Sequence, residues 1–168
     1  MLDITEELRD LVEMLSERQI DYALCGGMAM AVHERARMTI DIDILIRPET
    51  VEEVMALAGE RDYNIRGMDM TFANGAVEIR RVSKIDPDDG DLLSLDLLLV
   101  TPETRMAWDT RMTIEWEGST LSVVSRAGLI ALKQLRKTND PCGQGESRPQ
   151  LVRSLYPLCS QSRTYAPS

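Results

Sequence analysis

Residues 92–100 read Leu-Leu-Ser-Leu-Asp-Leu-Leu-Leu-Val, an apolar strand with a single carboxylate, Asp96, at its middle. An ionised carboxylate in such surroundings is costly unless it is paired or bound to a metal. Side chains alternate along a strand, so Ser94, Asp96 and Leu98 share one face. The chain must therefore either leave that face wet at a sheet edge or bring compensating groups to it from neighbouring strands.

A second strand offers such groups. Residues 39–46 alternate, with Ile40, Ile42 and Ile44 on one face and Thr39, Asp41 and Asp43 on the other, which predicts a half-buried strand. Period-two geometry puts the Asp41 and Asp43 carboxylates on the same side, their Cα atoms roughly 6.5 to 7 Å apart. Two like charges this close repel, and Asp is a poor strand former. A divalent cation removes the conflict, and magnesium prefers carboxylate and phosphate oxygens together with water. A polar strand face turned to solvent accounts for the pair equally well. Upstream, Leu24-Cys25-Gly26-Gly27 joins a short strand, residues 21–25, to a helix over residues 28–34. Paired glycines let the backbone approach a ligand closely, and the N–H groups of a following helix face an anion such as phosphate. A Gly-Gly pair is also an ordinary turn.

The remaining pattern is α+β. Leu8, Leu11, Val12 and Leu15 recur at helical spacing behind Asp3 or Thr5 as cap. Pro48 ends the Asp-bearing strand, and residues 49–60 read as a helix. A weak strand over 63–66, a turn at Asn74-Gly75 and a strand over 77–85 follow, then a turn at Pro87-Asp88-Asp89-Gly90. Pro102 opens a short helix reaching Trp108. Residues 112–116 and 120–124 flank Glu117-Gly118-Ser119 as a hairpin, and residues 126–136 form a closing helix. The domain is thus expected over 1–137. Residues 138–168, rich in Pro, Ser, Gln and Arg without a sustained period, read as a poorly ordered tail.

Composition narrows the function classes. The 168 residues are 43% hydrophobic and 28% charged, enough for one soluble domain with a real core. Aromatics make up only 4%, so aliphatic residues and the ten Met fill that core. A net charge of −9 argues against non-specific duplex binding, which runs on Lys and Arg. Three Cys without CxxC spacing (Cys25, Cys142, Cys159) and one His (His33) argue against a zinc site or a disulfide framework. No apolar run approaches the roughly 20 residues that span a bilayer. The acidic start lacks a signal peptide's basic head and apolar stretch, so a cytoplasmic protein is expected.

Cys25-Gly26-Gly27, a gap of thirteen residues, Asp41-Ile42-Asp43-Ile44 and a later strand carboxylate, Asp96, together resemble the nucleotidyltransferase superfamily, whose fold is that of the polymerase-beta catalytic core. The stretch from Gly26 to Asp43 looks like the minimal single-domain branch, which includes AbiEii-type and MenT-type toxins. The resemblance runs from about Asp21 to Lys133. It implies a mixed twisted sheet flanked by helices. It also implies magnesium-dependent transfer of a nucleoside monophosphate from a triphosphate to a hydroxyl. Asp41 and Asp43 would carry the metal ions, and Asp96 would bind a second metal and help deprotonate the acceptor. The resemblance implies nucleotide contacts from Gly26, Gly27, Arg37, Thr39 and Lys133. A surface salt bridge for Arg37 and an ordinary helix-face lysine at Lys133 account for those two equally well. The acceptor would be RNA or tRNA, with an antitoxin protein as partner. In the antibiotic-modifying branch it would be a small molecule. His33 fits helix packing or capping better than catalysis, and Arg80 and Arg81 read as solvated charges. After Arg136 the sequence departs from the family's pattern, lacking an Asp-x-x-Asp-like segment, which leaves a degenerate, non-catalytic binding domain as a further alternative.

Overall fold

Asp3 starts the first helix. Its Oδ1 accepts hydrogen bonds from the backbone N–H groups of Thr5 (2.8 Å) and Glu6 (3.4 Å), which a helix start would otherwise leave unsatisfied. Helix α1 then runs Ile4–Glu17 and buries Leu8, Leu11, Val12, Met14 and Leu15. The computed structural model describes residues 2–33 and 41–137. Arg37, Thr39 and Ile40 and the expected tail over 138–168 lie outside the described residues.

Eight strands form one mixed sheet: β1 (Tyr22–Cys25), β2 (Asp41–Ile46), β3 (Ile65–Arg66), β4 (Met70–Phe72), β5 (Val77–Ile85), β6 (Leu92–Leu99), β7 (Met112–Trp116) and β8 (Ser119–Val123). Their order is β3-β5-β6-β2-β1-β8-β7, with β4 also on the outer edge of β5. The pairs β2–β6 and β1–β8 are parallel and the others antiparallel. Helices α2 (Gly26–Val32), α3 (Val51–Gly59), α4 (Arg105–Asp109) and α5 (Arg126–Lys137) complete the fold.

Two apolar layers sandwich the sheet. On one face, α1 and α3 pack against Leu24, Ile42, Ile44, Ile46, Leu95, Leu97, Leu99 and Val123. On the other, Ala107 and Trp108 of α4 and Leu132 of α5 cover Ala23, Leu45, Val77, Ile79 and Leu98. This corrects the expectation of a half-buried β2: every residue from Ile42 to Ile46 is buried, because β2 lies between β1 and β6 with helices on both sides. The helix expected over 49–60 begins with a tight 3-10 turn at Pro48–Thr50 and becomes α-helical only at Val51. Strand β4 gives no sequence signal, since it is three residues long and mostly exposed. Strand β5, the Asp86–Gly90 turn and α5 lie where their patterns place them, while the hairpin closes on the two residues Glu117-Gly118, with Ser119 already paired to Trp116.

Candidate active site

Register decides which polar side chains meet. On the face that α4 and α5 cover only partly, Cys25 of β1 lies opposite Asp43 of β2, Asp43 opposite Asp96 of β6, and Asp96 opposite Arg81 of β5. Adjacent strands are about 4.8 Å apart, so these four residues form one row across the sheet. The next row holds Asp41, Ser94 and Ser83. The two serine hydroxyls are 3.0 Å apart and buried. In the opposite direction the row is Ala23, Leu45, Leu98 and Ile79, the apolar floor under α5. One sheet face is therefore polar at one end and apolar at the other.

The structure thus brings Asp43 and Asp96 side by side and sets Asp41 one row away. Asp43 is 8% exposed and Asp96 2%, whereas Asp41 is partly open. Both Asp96 oxygens accept from Arg81: Nε to Oδ1 at 2.6 Å and Nη2 to Oδ2 at 2.7 Å. Such a two-pronged pair is the strongest geometry a carboxylate and guanidinium can adopt. Among the described residues, no three His, Cys, Asp or Glu side chains form a ready-made metal cage. Arg80 and Arg81 are not plain solvated charges. Arg80 pairs with Glu78 (3.2 Å) and Asp69 (3.3 Å), and Arg81 is committed to Asp96.

Gly26 sits against Asp43. Its φ is +64°, and a Cβ there would lie 1.8 Å from Asp43 Oδ2. Only glycine fits, both for the left-handed backbone and for the space. Gly27 behind it is buried. Beyond this turn a cleft of about 280 Å³ opens between Asp43 and α5, with Val77 and Leu98 on its floor. Helix α5 presents Arg126, Leu129, Ile130 and Lys133 to it, residues spaced three or four apart on one helix face. Lys133 was legible in the sequence. Arg126 was not, because one arginine at a helix start carries no signal.

His33 also lines the cleft but is occupied. Its Nε2 is 3.0 Å from the Val124 carbonyl oxygen. A carbonyl only accepts, so Nε2 carries the hydrogen and donates it. The ring ties the end of α2 to the residue after β8. Ser125 then starts α5, its Oγ accepting from Gly128 N–H at 3.1 Å.

This architecture is the α+β nucleotidyltransferase fold. Likeness to solved structures shows it. The Thermotoga maritima protein TM1012, described provisionally as a nucleotidyltransferase, superposes with a TM-score of 0.55 at 14% identity, over 90% of this chain and 91% of that one. ANT(2'')-Ia in complex with adenylyl-2''-tobramycin gives 0.53 at 12% identity, over 89% and 83%. The solution structure of the same antibiotic-resistance factor gives 0.51 at 14% identity, over 91% and 82%. No family model matches the sequence, and no curated protein matches it.

Proposed function

We propose that the chain is a magnesium-dependent nucleotidyltransferase. It takes a nucleoside triphosphate in the cleft between Asp43 and α5 and transfers the nucleoside monophosphate to a hydroxyl, releasing pyrophosphate. The observation that carries the reading is the adjacency of Asp43 and Asp96 beside Gly26, across a cleft from Arg126 and Lys133.

The residues present fit the cation. Carboxylates are the ligands a hard divalent ion takes, and two on one strand face leave it room for water and phosphate oxygens. Asp41 and Asp43 would hold magnesium, which offsets the triphosphate's charge at the reacting phosphorus. Gly26 and Gly27 keep the backbone low, so that the phosphates reach the Asp43 carboxylate. Arg126 and Lys133 counter phosphate charge from the opposite wall. Val77, Leu98, Leu129 and Ile130 give the nucleoside a dry surface. Asp96 faces the acceptor hydroxyl beside Asp43, orients it and receives its proton. Arg37 and Thr39, leading into β2, complete the nucleotide contacts in this reading.

For the acceptor, a small molecule is favoured over RNA. The net charge of −9 repels a polyanion, and the fold is shared with ANT(2'')-Ia, solved with an adenylylated antibiotic. The resemblance of the diglycine and Asp-x-Asp stretch to toxins supports the second reading, transfer to RNA or tRNA by a toxin held by an antitoxin partner.

Each α-labelled triphosphate, with magnesium and either total RNA or a panel of aminoglycosides and lincosamides, tests both. Label is expected on the small molecules, and Asp43→Asn is expected to lower transfer by on the order of 100-fold. Absence of transfer to either class overturns the catalytic reading. Tight triphosphate binding without turnover would then mark a degenerate binding domain.

A further inference from the structure

The reaction as drawn leaves Arg81 without a role, yet the fold fixes this residue with care. Its backbone carbonyl accepts from Gly67 N–H at 2.9 Å. Its stem lies on Gly67, where a Cβ would come within 3.0 Å of Arg81 Cβ and 3.1 Å of Cγ. Its guanidinium closes on both oxygens of Asp96, the most enclosed carboxylate of the site. Gly67, between β3 and β4, thus leaves room for this side chain's stem.

Charge gives the arrangement its meaning. Asp41, Asp43 and Asp96 bring three negative charges to one patch of sheet, and a buried carboxylate left unpaired is strongly destabilising. Arg81 already compensates one of these charges from within the protein. A bidentate guanidinium also takes two of the roughly four lone-pair positions that a carboxylate offers.

We propose that Arg81 is the resident counter-ion of Asp96 and takes the place of a second divalent ion, so that the protein alone binds one such cation, on Asp41 and Asp43. Asp96 then acts as an oriented carboxylate rather than as a metal ligand. This rests on the reading of Asp41 and Asp43 as a cation site.

Manganese alone is a suitable probe, followed by calorimetry and by its effect on the unfolding temperature. Wild-type protein is expected to bind one ion. Arg81→Met keeps the stem on Gly67 and removes the charge. It is expected to bind Mn2+ about tenfold more tightly or to take a second ion, and its unfolding temperature is expected to rise more steeply with Mn2+ than that of wild type. Should that variant fail to fold, Arg81→Met/Asp96→Leu removes the pair together, a replacement that buried ion pairs tolerate. It is expected to keep wild-type Mn2+ affinity within about threefold. Unchanged binding in Arg81→Met, two ions in wild type, or an affinity loss of about tenfold or more in the double variant each overturns the proposal. Absence of Mn2+ from both wild type and Arg81→Met overturns the underlying cation reading as well.

Discussion

At the scale of single residues, the site depends on one position where only glycine is tolerated. Gly26 combines a φ of +64° with a contact that would put any Cβ 1.8 Å from Asp43 Oδ2. The left-handed conformation alone costs a larger residue about 1–2 kcal/mol. Gly26→Ala is therefore expected to lower stability by at least about that amount in thermal unfolding, with the contact against Asp43 adding to it. It is also expected to displace the Asp43 carboxylate, cutting label transfer by on the order of 100-fold. An alanine variant that transfers label at the wild-type rate would show that the carboxylate's position is not what the chemistry uses. Across the cleft, Lys133→Ala is expected to weaken triphosphate binding by on the order of tenfold in a calorimetric titration, the scale of one charge-assisted contact.

At the scale of elements, the seating of α5 sets the width of the cleft. Gly128 packs directly on α4 and the β8 end. A Cβ there would lie 2.7 Å from Val124 Cγ1 and 3.0 Å from the Ala107 Cα. Backbone yields less readily than a side-chain tip, so Gly128→Ala is expected to lift α5 and cost about 1–3 kcal/mol. Because Arg126 and Lys133 ride on the same helix, KM for the triphosphate is expected to rise severalfold while the β2–β6 carboxylates stay in place. Steady-state kinetics beside a melting curve separate the two effects. The strands are fixed by a different rule. A one-residue slip of β2 against β6 would turn Asp43 toward the α1 and α3 layer and Ile42 or Ile44 toward the cleft. The isoleucine and leucine faces forbid this.

At the scale of the whole molecule, charge separates the acceptor readings. The described helices include none long and apolar enough to cross a membrane. The chain carries 28 acidic residues against 19 Lys and Arg. Its field attracts a cationic acceptor and repels RNA over about one Debye length, 8 Å at physiological salt. KM for a cationic small-molecule acceptor is therefore expected to rise as salt goes from low to physiological levels. An RNA acceptor would give the opposite slope, and initial-rate measurements at several salt concentrations distinguish the two.

The sequence by itself determined most of the elements and the residue types on which the proposed chemistry rests. Alternation placed Asp41 and Asp43 on one face of β2, the apolar run around Asp96 marked β6, and Gly26-Gly27 marked the turn, because these are local consequences of period and backbone freedom. Lys133 was legible through family likeness, and the β7–β8 hairpin through its turn residues. Tertiary structure alone decided the register that sets Asp43 beside Asp96, the burial of β2 on both faces, and the approach of α5 that makes the cleft. It also decided that Arg81 pairs with Asp96 and packs on Gly67. Those facts depend on pairings between residues far apart in the chain, where a side chain's partner is chosen by packing rather than by its neighbours in sequence.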